Sequence, residues 1–179
     1  YTNIKNTLTL LSLLLLSFSG TAQTYNMSNG SVSTCSGNFF DSGGNGGAYG
    51  NNQTFVFTIC PSTPGAPIRV TFSSFDLENN WDFLDVYDGN TTGGPLIGTY
   101  TGAAGPGMVT ATFGNPTGCL TFVFTSDGSI TNSGWAAVVS CVIPCQTINA
   151  TLNSTIPAAQ GDGIIRICQG GSVQFNGSG

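Results

Sequence analysis

Several residue types that common catalytic and nucleic-acid sites require are absent or scarce in this chain of 179 residues. There is no histidine, and lysine and arginine together number three. Without histidine, the chain lacks the usual general base of serine and cysteine hydrolases. With so few basic residues, it also lacks the positive charge that binds nucleic-acid phosphates. We therefore expect neither an enzyme nor a nucleic-acid-binding protein.

Charged residues of both signs make up only 6% of the sequence, whereas glycine occurs 26 times. This composition favours short strands joined by many turns over helices. The six cysteines include no CxxC pair, and with no histidine present a zinc site is disfavoured. In an exported chain, six cysteines indicate disulfide bonds, for which 15 pairings are possible.

A short apolar run lies near the N-terminus, between Leu8 and Phe18, after Lys5 and before the small residues Gly20 and Ala22. This order is typical of a secretory signal peptide. The run is shorter than the ~20 residues of a membrane-spanning helix. We predict a signal peptide at residues 1–22, no membrane span after its removal, and a secreted or cell-surface protein. A short membrane anchor is the alternative.

Apolar and polar residues alternate along six segments that Gly- and Pro-containing turns separate. The segments are 53–60, 67–75, 82–89, 107–113, 119–126 and 134–141. A period of two predicts strands, and six or more such strands predict an antiparallel β-sandwich. In segment 107–113 the alternation places Val109, Ala111 and Phe113 on one face. Two further short strands are expected near 31–33 and 37–40, followed by a glycine-rich mobile loop or string of turns.

Acidic residues are concentrated between residues 70 and 89, where no lysine or arginine separates them. This stretch contains five of the eight acidic residues, namely Asp76, Glu78, Asp82, Asp85 and Asp88. Like charges repel, so these carboxylates either extend into water or share a cation. We expect Asp76 and Asp85 to be exposed, Asp88 to form a turn with Gly89, and Trp81 to be a packing residue or, alternatively, a ligand contact.

The order of motifs resembles that of a CUB domain over residues 25 to 141. The matching pieces are Cys35, FSSFDLE at 72–78, DFLDVYDG at 82–89, GTYTG at 98–102, FTSD at 124–127 and GW at 134–135. The resemblance implies a jelly-roll-like β-sandwich that serves as a binding module in a secreted multidomain protein.

The same resemblance implies a calcium site. Glu78 matches the glutamate that ends the first motif, Asp82 the aspartate that opens the second, and Asp127 the aspartate of FTSD. The turn around Ser129 would supply a backbone oxygen. Such oxygen ligands are those that Ca²⁺ prefers, and in related sites the ordered carboxylates also receive a lysine of the partner.

The chain departs from the family pattern at the second disulfide. Trp81 and Thr101 stand where the family has its two cysteines, and the loop from Glu78 to Asp82 is shorter than usual. For the remaining cysteines, the resemblance implies a Cys35–Cys60 bond. Cys119 and Cys141 flank the last two predicted strands and are expected to pair with each other, as are Cys145 and Cys168 in the tail.

The tail, residues 142–179, changes in character after a linker at Ile143 and Pro144. It resembles the opening of the PKD-like or Ig-like repeats of large bacterial surface proteins, some of which use type IX secretion. We therefore predict three parts: the signal peptide at 1–22, a CUB-like domain at 23–141, and a linker with a truncated second β-domain at 142–179.

Three functional hypotheses follow. The first is an adhesive or ligand-binding module whose calcium-stabilised edge binds a protein or glycan, with a basic side chain or sugar at Glu78, Asp82 and Asp127. The second is a non-catalytic accessory domain of an exported peptidase or other hydrolase whose catalytic part follows residue 179. The third is a structural spacer that binds neither metal nor ligand.

Overall fold

The computed structural model describes residues 23–143 together with two later strands, Gln146–Asn149 and Ile164–Ile167. The predicted signal peptide, Cys145 and Cys168 lie outside the described residues, and the prediction of a second domain stays a prediction. No helix in the described ranges is long and apolar enough to cross a membrane.

Every regular element in the described part of the chain is a β-strand, which confirms the all-β prediction. The strands are β1 (Thr24–Asn26), β2 (Gly30–Ser33), β3 (Ser36–Phe40), β4 (Thr54–Cys60), β5 (Ile68–Asp76), β6 (Phe83–Asp88), β7 (Leu96–Tyr100), β8 (Met108–Thr110), β9 (Leu120–Thr125), β10 (Gly134–Cys141), β11 (Gln146–Asn149) and β12 (Ile164–Ile167).

Two five-stranded sheets form the sandwich, with strand orders β1-β3-β10-β5-β8 and β2-β4-β9-β6-β7. All neighbouring strands within these sheets run antiparallel except β1 with β3 and β2 with β4, which are parallel. Strands β11 and β12 form a separate antiparallel pair. The alternation in the sequence therefore predicted the sandwich correctly.

An aromatic cluster occupies the space between the two sheets. The ring of Phe39 lies 5.1 Å from that of Phe122 and 5.7 Å from that of Trp135, and Phe124 lies 5.4 Å from Trp135. All four side chains are buried. Burying one such side chain contributes about 1.5–3 kcal/mol, so this cluster holds the sheets face to face.

The glycine-rich segment between β3 and β4 is a string of turns with two buried side chains that form hydrogen bonds, Asp41 and Tyr49. The Asp41 carboxylate accepts hydrogen bonds from the backbone N–H groups of Gly43 at 2.7 Å and Trp135 at 3.0 Å. Gly134 has a φ of 69°, and a Cβ atom at this position would overlap that carboxylate. Burial raises the pKa of Asp41, against the opposing effect of these hydrogen bonds.

The segment around β8 ends earlier than predicted. Strand β8 covers only Met108–Thr110, and although Val109 and Ala111 are buried, Phe113 is 68% exposed. The reason is a turn in which the N–H of Asn115 donates to the carbonyl oxygen of Thr112 at 3.1 Å. The prediction that Phe113 shares the buried face of Val109 is therefore wrong.

The cysteines between residues 35 and 141 form disulfides, but both predicted pairings are wrong. The bonds are Cys35–Cys141 and Cys60–Cys119. Each joins neighbouring antiparallel strands of one sheet, as the pairings of Ser36 with Ser140 and of Ile59 with Leu120 show. Cys119 and Cys141 flank strands β9 and β10, which belong to different sheets. Adjacency in sequence was thus a poor guide to adjacency in space.

Both disulfides lie at the same end of the sandwich, which we call the cross-linked end. The N–H of Ile68 donates to the carbonyl oxygen of Gly118 at 2.8 Å, and Cys141 pairs with Ile68. The end of β10 and the start of β9 therefore both lie beside Ile68, and the Cys60–Cys119 bond places the end of β4 with them. The opposite end, where β5 and β9 finish and β6 begins, holds Glu78, Asp82 and Asp127, and we call it the acidic end.

Candidate metal centre

The first loop of the acidic end is a tight turn from Glu78 to Asp82. The carbonyl oxygen of Glu78 accepts hydrogen bonds from the N–H of Asp82 at 3.1 Å and from that of Trp81 at 3.4 Å. Asn80 adopts the left-handed conformation with a φ of 66°, which asparagine tolerates better than most residues. The turn therefore brings Glu78, which follows one sheet, next to Asp82, which begins a strand of the other.

Thr101 holds this turn in place. Its hydroxyl donates to the carbonyl oxygen of Glu78 at 3.1 Å and accepts from the N–H of Asn80 at 2.8 Å. Position 101 and position 81 are those at which the CUB pattern has cysteines. The threonine hydroxyl thus tethers the loop by two hydrogen bonds where a disulfide would tether it covalently.

Strand register brings Asp82 and Asp127 together. Phe83 at the start of β6 pairs with Thr125 at the end of β9, so the residues just outside these two positions are neighbours. The N–H of Asp127 donates to Asp82 Oδ1 at 2.9 Å. The second loop of the acidic end follows β9 and contains Asp127. It is fixed to residue 52, because the N–H of Asn52 donates to the carbonyl oxygen of Asp127 at 2.6 Å.

Tyr49 joins the two ends of the Glu78–Asp82 turn and was not identified from the sequence. Its hydroxyl donates to Asp82 Oδ2 at 2.5 Å and accepts from the N–H of Glu78 at 2.9 Å. Burial, together with the hydrogen bond to Asp82, raises the pKa of Tyr49 to about 12, so the hydroxyl remains protonated at neutral pH. The one signal in the sequence was a tyrosine within a segment otherwise made of small and polar residues.

The carboxylates of Glu78, Asp82 and Asp127 meet at this end, each offering one oxygen, with the three oxygens within 4.8 Å of one another. Oxygens on opposite sides of a Ca²⁺ ion, each at about 2.4 Å, would be about 4.8 Å apart. Glu78 Oε2 is buried and has no hydrogen-bonding partner among the described residues. The donor set is entirely oxygen and contains this unpaired atom, so the residues present fit Ca²⁺.

The electrostatics of the cluster agree with this fit. Burial, followed by the charges of Asp127 and Asp82, raises the pKa of the Glu78 carboxyl. Arg69 is the basic side chain within the described range 23–143, and its Nε donates to Thr110 at 3.1 Å, at the other end of β5. Within that range, no lysine or arginine offsets the charge of the cluster.

Ser129 approaches the cluster through its N–H, which donates to Asp127 Oδ1 at 2.9 Å. This bond orients the Asp127 carboxylate. A ligand role for the backbone oxygen near Ser129 stays a prediction. The next residue, Ile130, is exposed and has a φ of 50°, which is strained for a β-branched side chain.

The other residues of the acidic stretch have separate roles. Asp76 accepts a hydrogen bond from the side-chain amide of Asn132 at 3.2 Å, and Asp85 accepts one from the Thr99 hydroxyl at 2.5 Å; both carboxylates are half-buried rather than exposed. Asp88 is buried at the cross-linked end. The packing role expected of Trp81 is wrong, because this side chain is 63% exposed beside the cluster.

Comparison with known proteins gives the class to which this sandwich and its loops belong. The CUB domain profile matches residues 29–138, more than half of the chain. Rat cubilin is 38% identical over 117 residues, which is 60% of this chain and 3% of cubilin. The Caenorhabditis elegans zinc metalloproteinase nas-39 is 32% identical over 69 residues, 36% of this chain and 7% of that protein. The chain therefore spans only a small part of each relative.

A solved structure shows the same fold. The MASP-1 CUB2 domain bound to Ca²⁺ superposes with a TM-score of 0.51 at 18% identity, covering 63% of this chain and 98% of that domain. This chain belongs to the CUB family. CUB domains are extracellular protein-interaction modules and carry no catalytic site in the relatives compared.

Proposed function

We propose that this CUB domain is a secreted or cell-surface interaction module whose partner docks at the acidic end, and that Ca²⁺ bound there orders the two loops. The observation that carries the proposal is the meeting of the Glu78, Asp82 and Asp127 oxygens within 4.8 Å. The Ca²⁺ named for the MASP-1 domain supports the choice of metal. Ca²⁺ would supply charge neutralisation and fix the positions of the carboxylates; it would perform no chemistry.

Charge and exposure at the acidic end favour a partner with a basic group flanked by apolar ones. The three carboxylates provide the negative charge. Trp81 and Ile130, each 63% exposed, lie on the two loops that hold them. Large exposed aromatic side chains are frequent anchors of protein interfaces. A lysine or arginine of the partner would approach the carboxylates while its neighbours cover these two side chains.

Calcium binding is tested by calorimetric titration of the whole chain with CaCl₂. We expect one binding event that the variant Asp127→Asn weakens at least about tenfold, a change of about 1.4 kcal/mol. Asp85→Asn is the matched control, because it removes the same charge from the outer face of β6. Equal affinities of the two variants would contradict the assignment of the metal centre.

The docking of a basic partner is tested with immobilised poly-L-lysine as the probe. We expect binding to weaken when calcium is chelated and in Asp127→Asn, but to persist in Asp85→Asn. Simple charge attraction gives the opposite result, because removing a divalent cation makes the protein more negative and strengthens its attraction to polylysine. Trp81→Ala should weaken this binding without changing calcium affinity.

A second candidate function is an accessory binding domain within a longer exported hydrolase. The observation that favours it is the similarity to a zinc metalloproteinase, of which the matched region is a small part. In this case the acidic end would bind a substrate protein rather than a receptor. Sequencing the rest of the gene distinguishes the two, because only the hydrolase carries a catalytic motif downstream.

A further inference from the structure

A cavity of about 390 Å³ lies at the cross-linked end, on the opposite end of β6 from Asp82. Its walls are the loop 89–95 between β6 and β7 and the loop 112–117 between β8 and β9. The volume falls in the ~300–1,000 Å³ range of ligand-binding pockets. The cavity is separate from the acidic end, because strand β6 lies between Asp82 and the loop 89–95.

Asp88 is among the residues that line this cavity. Its buried carboxylate accepts hydrogen bonds from the Thr112 hydroxyl at 2.7 Å and N–H at 3.2 Å, and from the Asn115 amide at 2.8 Å. The Asn115 amide also donates to the carbonyl oxygen of Cys119, which is bonded to Cys60. The loop is thus fixed before any ligand arrives, which lowers the entropic cost of binding.

Apart from Asp88, the residues that line the cavity are uncharged. Glycine, threonine, asparagine and proline make up its walls, and the carboxylate of Asp88 is already occupied by three donor groups. Thr91 Oγ1 accepts from the N–H of Gly93 at 3.2 Å, and among the described residues its own O–H has no acceptor, so it can donate to a ligand. Asn90 is exposed at the rim and offers both an amide donor and an acceptor. Such groups suit a neutral, hydroxylated ligand better than an ion.

Phe113 adds an apolar surface to this groove. A second cavity of about 190 Å³ is lined by Phe113 and adjoins the first, with which it shares Asn115, Pro116 and Thr117. Phe113 is 68% exposed, although Val109 and Ala111, which precede it in the same alternating pattern, are buried. An exposed aromatic ring offers a flat apolar face to the C–H groups of a sugar ring, while neighbouring hydroxyl and amide groups bond the sugar hydroxyls.

We propose that these two adjoining cavities, which together we call the Phe113 groove, bind a neutral oligosaccharide. Phe113 stacks against one sugar ring, and Asn90 and Thr91 bond hydroxyl groups of the next. The site does not depend on the acidic end or on calcium. The chain would then have two independent binding surfaces at opposite ends of one sandwich.

The test is affinity electrophoresis of the whole chain through native gels that contain a soluble neutral polysaccharide: β-glucan, xylan, galactomannan or dextran. The protein is made in a bacterial host that leaves Asn90 unglycosylated. We expect at least one of these polysaccharides to retard the protein, equally with calcium and with EDTA. Phe113→Ser should raise the dissociation constant at least about tenfold, and Thr91→Val should raise it as well.

Met108→Ser is the matched control, because Met108 is 59% exposed on strand β8, outside the groove. It should bind as the wild type does. The proposal is overturned if none of the four polysaccharides retards the wild type, if Phe113→Ser binds like Met108→Ser, or if EDTA removes the binding. The last result would place the sugar at the acidic end. Urea unfolding curves of both variants confirm that they are folded.

Discussion

Without calcium, the acidic end is stabilised by two hydrogen bonds of one group, the hydroxyl of Tyr49. Tyr49→Phe keeps the ring, which packs against Phe124 at 5.1 Å, but removes the partner of Asp82 Oδ2 and of the Glu78 N–H. Each buried polar group that loses its partner costs about 1–3 kcal/mol. Water reaches part of this end, so we expect the free energy of unfolding to fall by roughly 2–4 kcal/mol.

The measurement is urea unfolding at neutral pH in EDTA, followed by the fluorescence of buried Trp135. Tyr25→Phe is the matched control, because the Tyr25 hydroxyl is buried without a hydrogen-bonding partner among the described residues. Its removal should leave the free energy of unfolding unchanged or raise it, by up to about 1–3 kcal/mol. If both variants lose the same stability, the hydroxyl of Tyr49 does not organise the acidic end, and the reasoning from its two hydrogen bonds is refuted.

Two further predictions concern the rest of the sandwich. Non-reducing peptide mapping should show the Cys60–Cys119 link and no Cys35–Cys60 link, and the double variant Cys60→Ser/Cys119→Ser should lose about 2–5 kcal/mol in urea unfolding. Because burial raises the pKa of Asp41 above 3.8, the folded chain holds this proton more tightly than the unfolded chain does. The free energy of unfolding of the wild type, relative to that of Asp41→Asn, should therefore fall as pH rises from below 3.8 through the raised pKa. If urea unfolding shows this difference rising over the same pH range, the prediction is wrong.

The sequence predicted the sheets well because alternation is a local property. Buried positions such as Ile59, Val70, Leu84 and Phe122 follow directly from a period of two. The three acids were also predicted as a group, because each stands in a motif that resembles the CUB pattern. The structure places their oxygens together.

The failures concern contacts that alternation does not encode. The disulfide pairing depends on which strands are neighbours in a sheet, and β3 lies beside β10 although about 95 residues separate them in sequence. The role of Tyr49 depends on the path of a turn-rich loop. Phe113 fits the alternating pattern, but the turn that begins at Thr112 directs the chain away from the core.

Thr101 has a consequence for how the loop at the acidic end responds to its surroundings. A disulfide at this point would open only when a reductant or another thiol attacked it. Two hydrogen bonds to the Glu78 carbonyl and the Asn80 N–H can break and re-form spontaneously. The opening of this tether therefore depends on temperature rather than on the redox state of the medium.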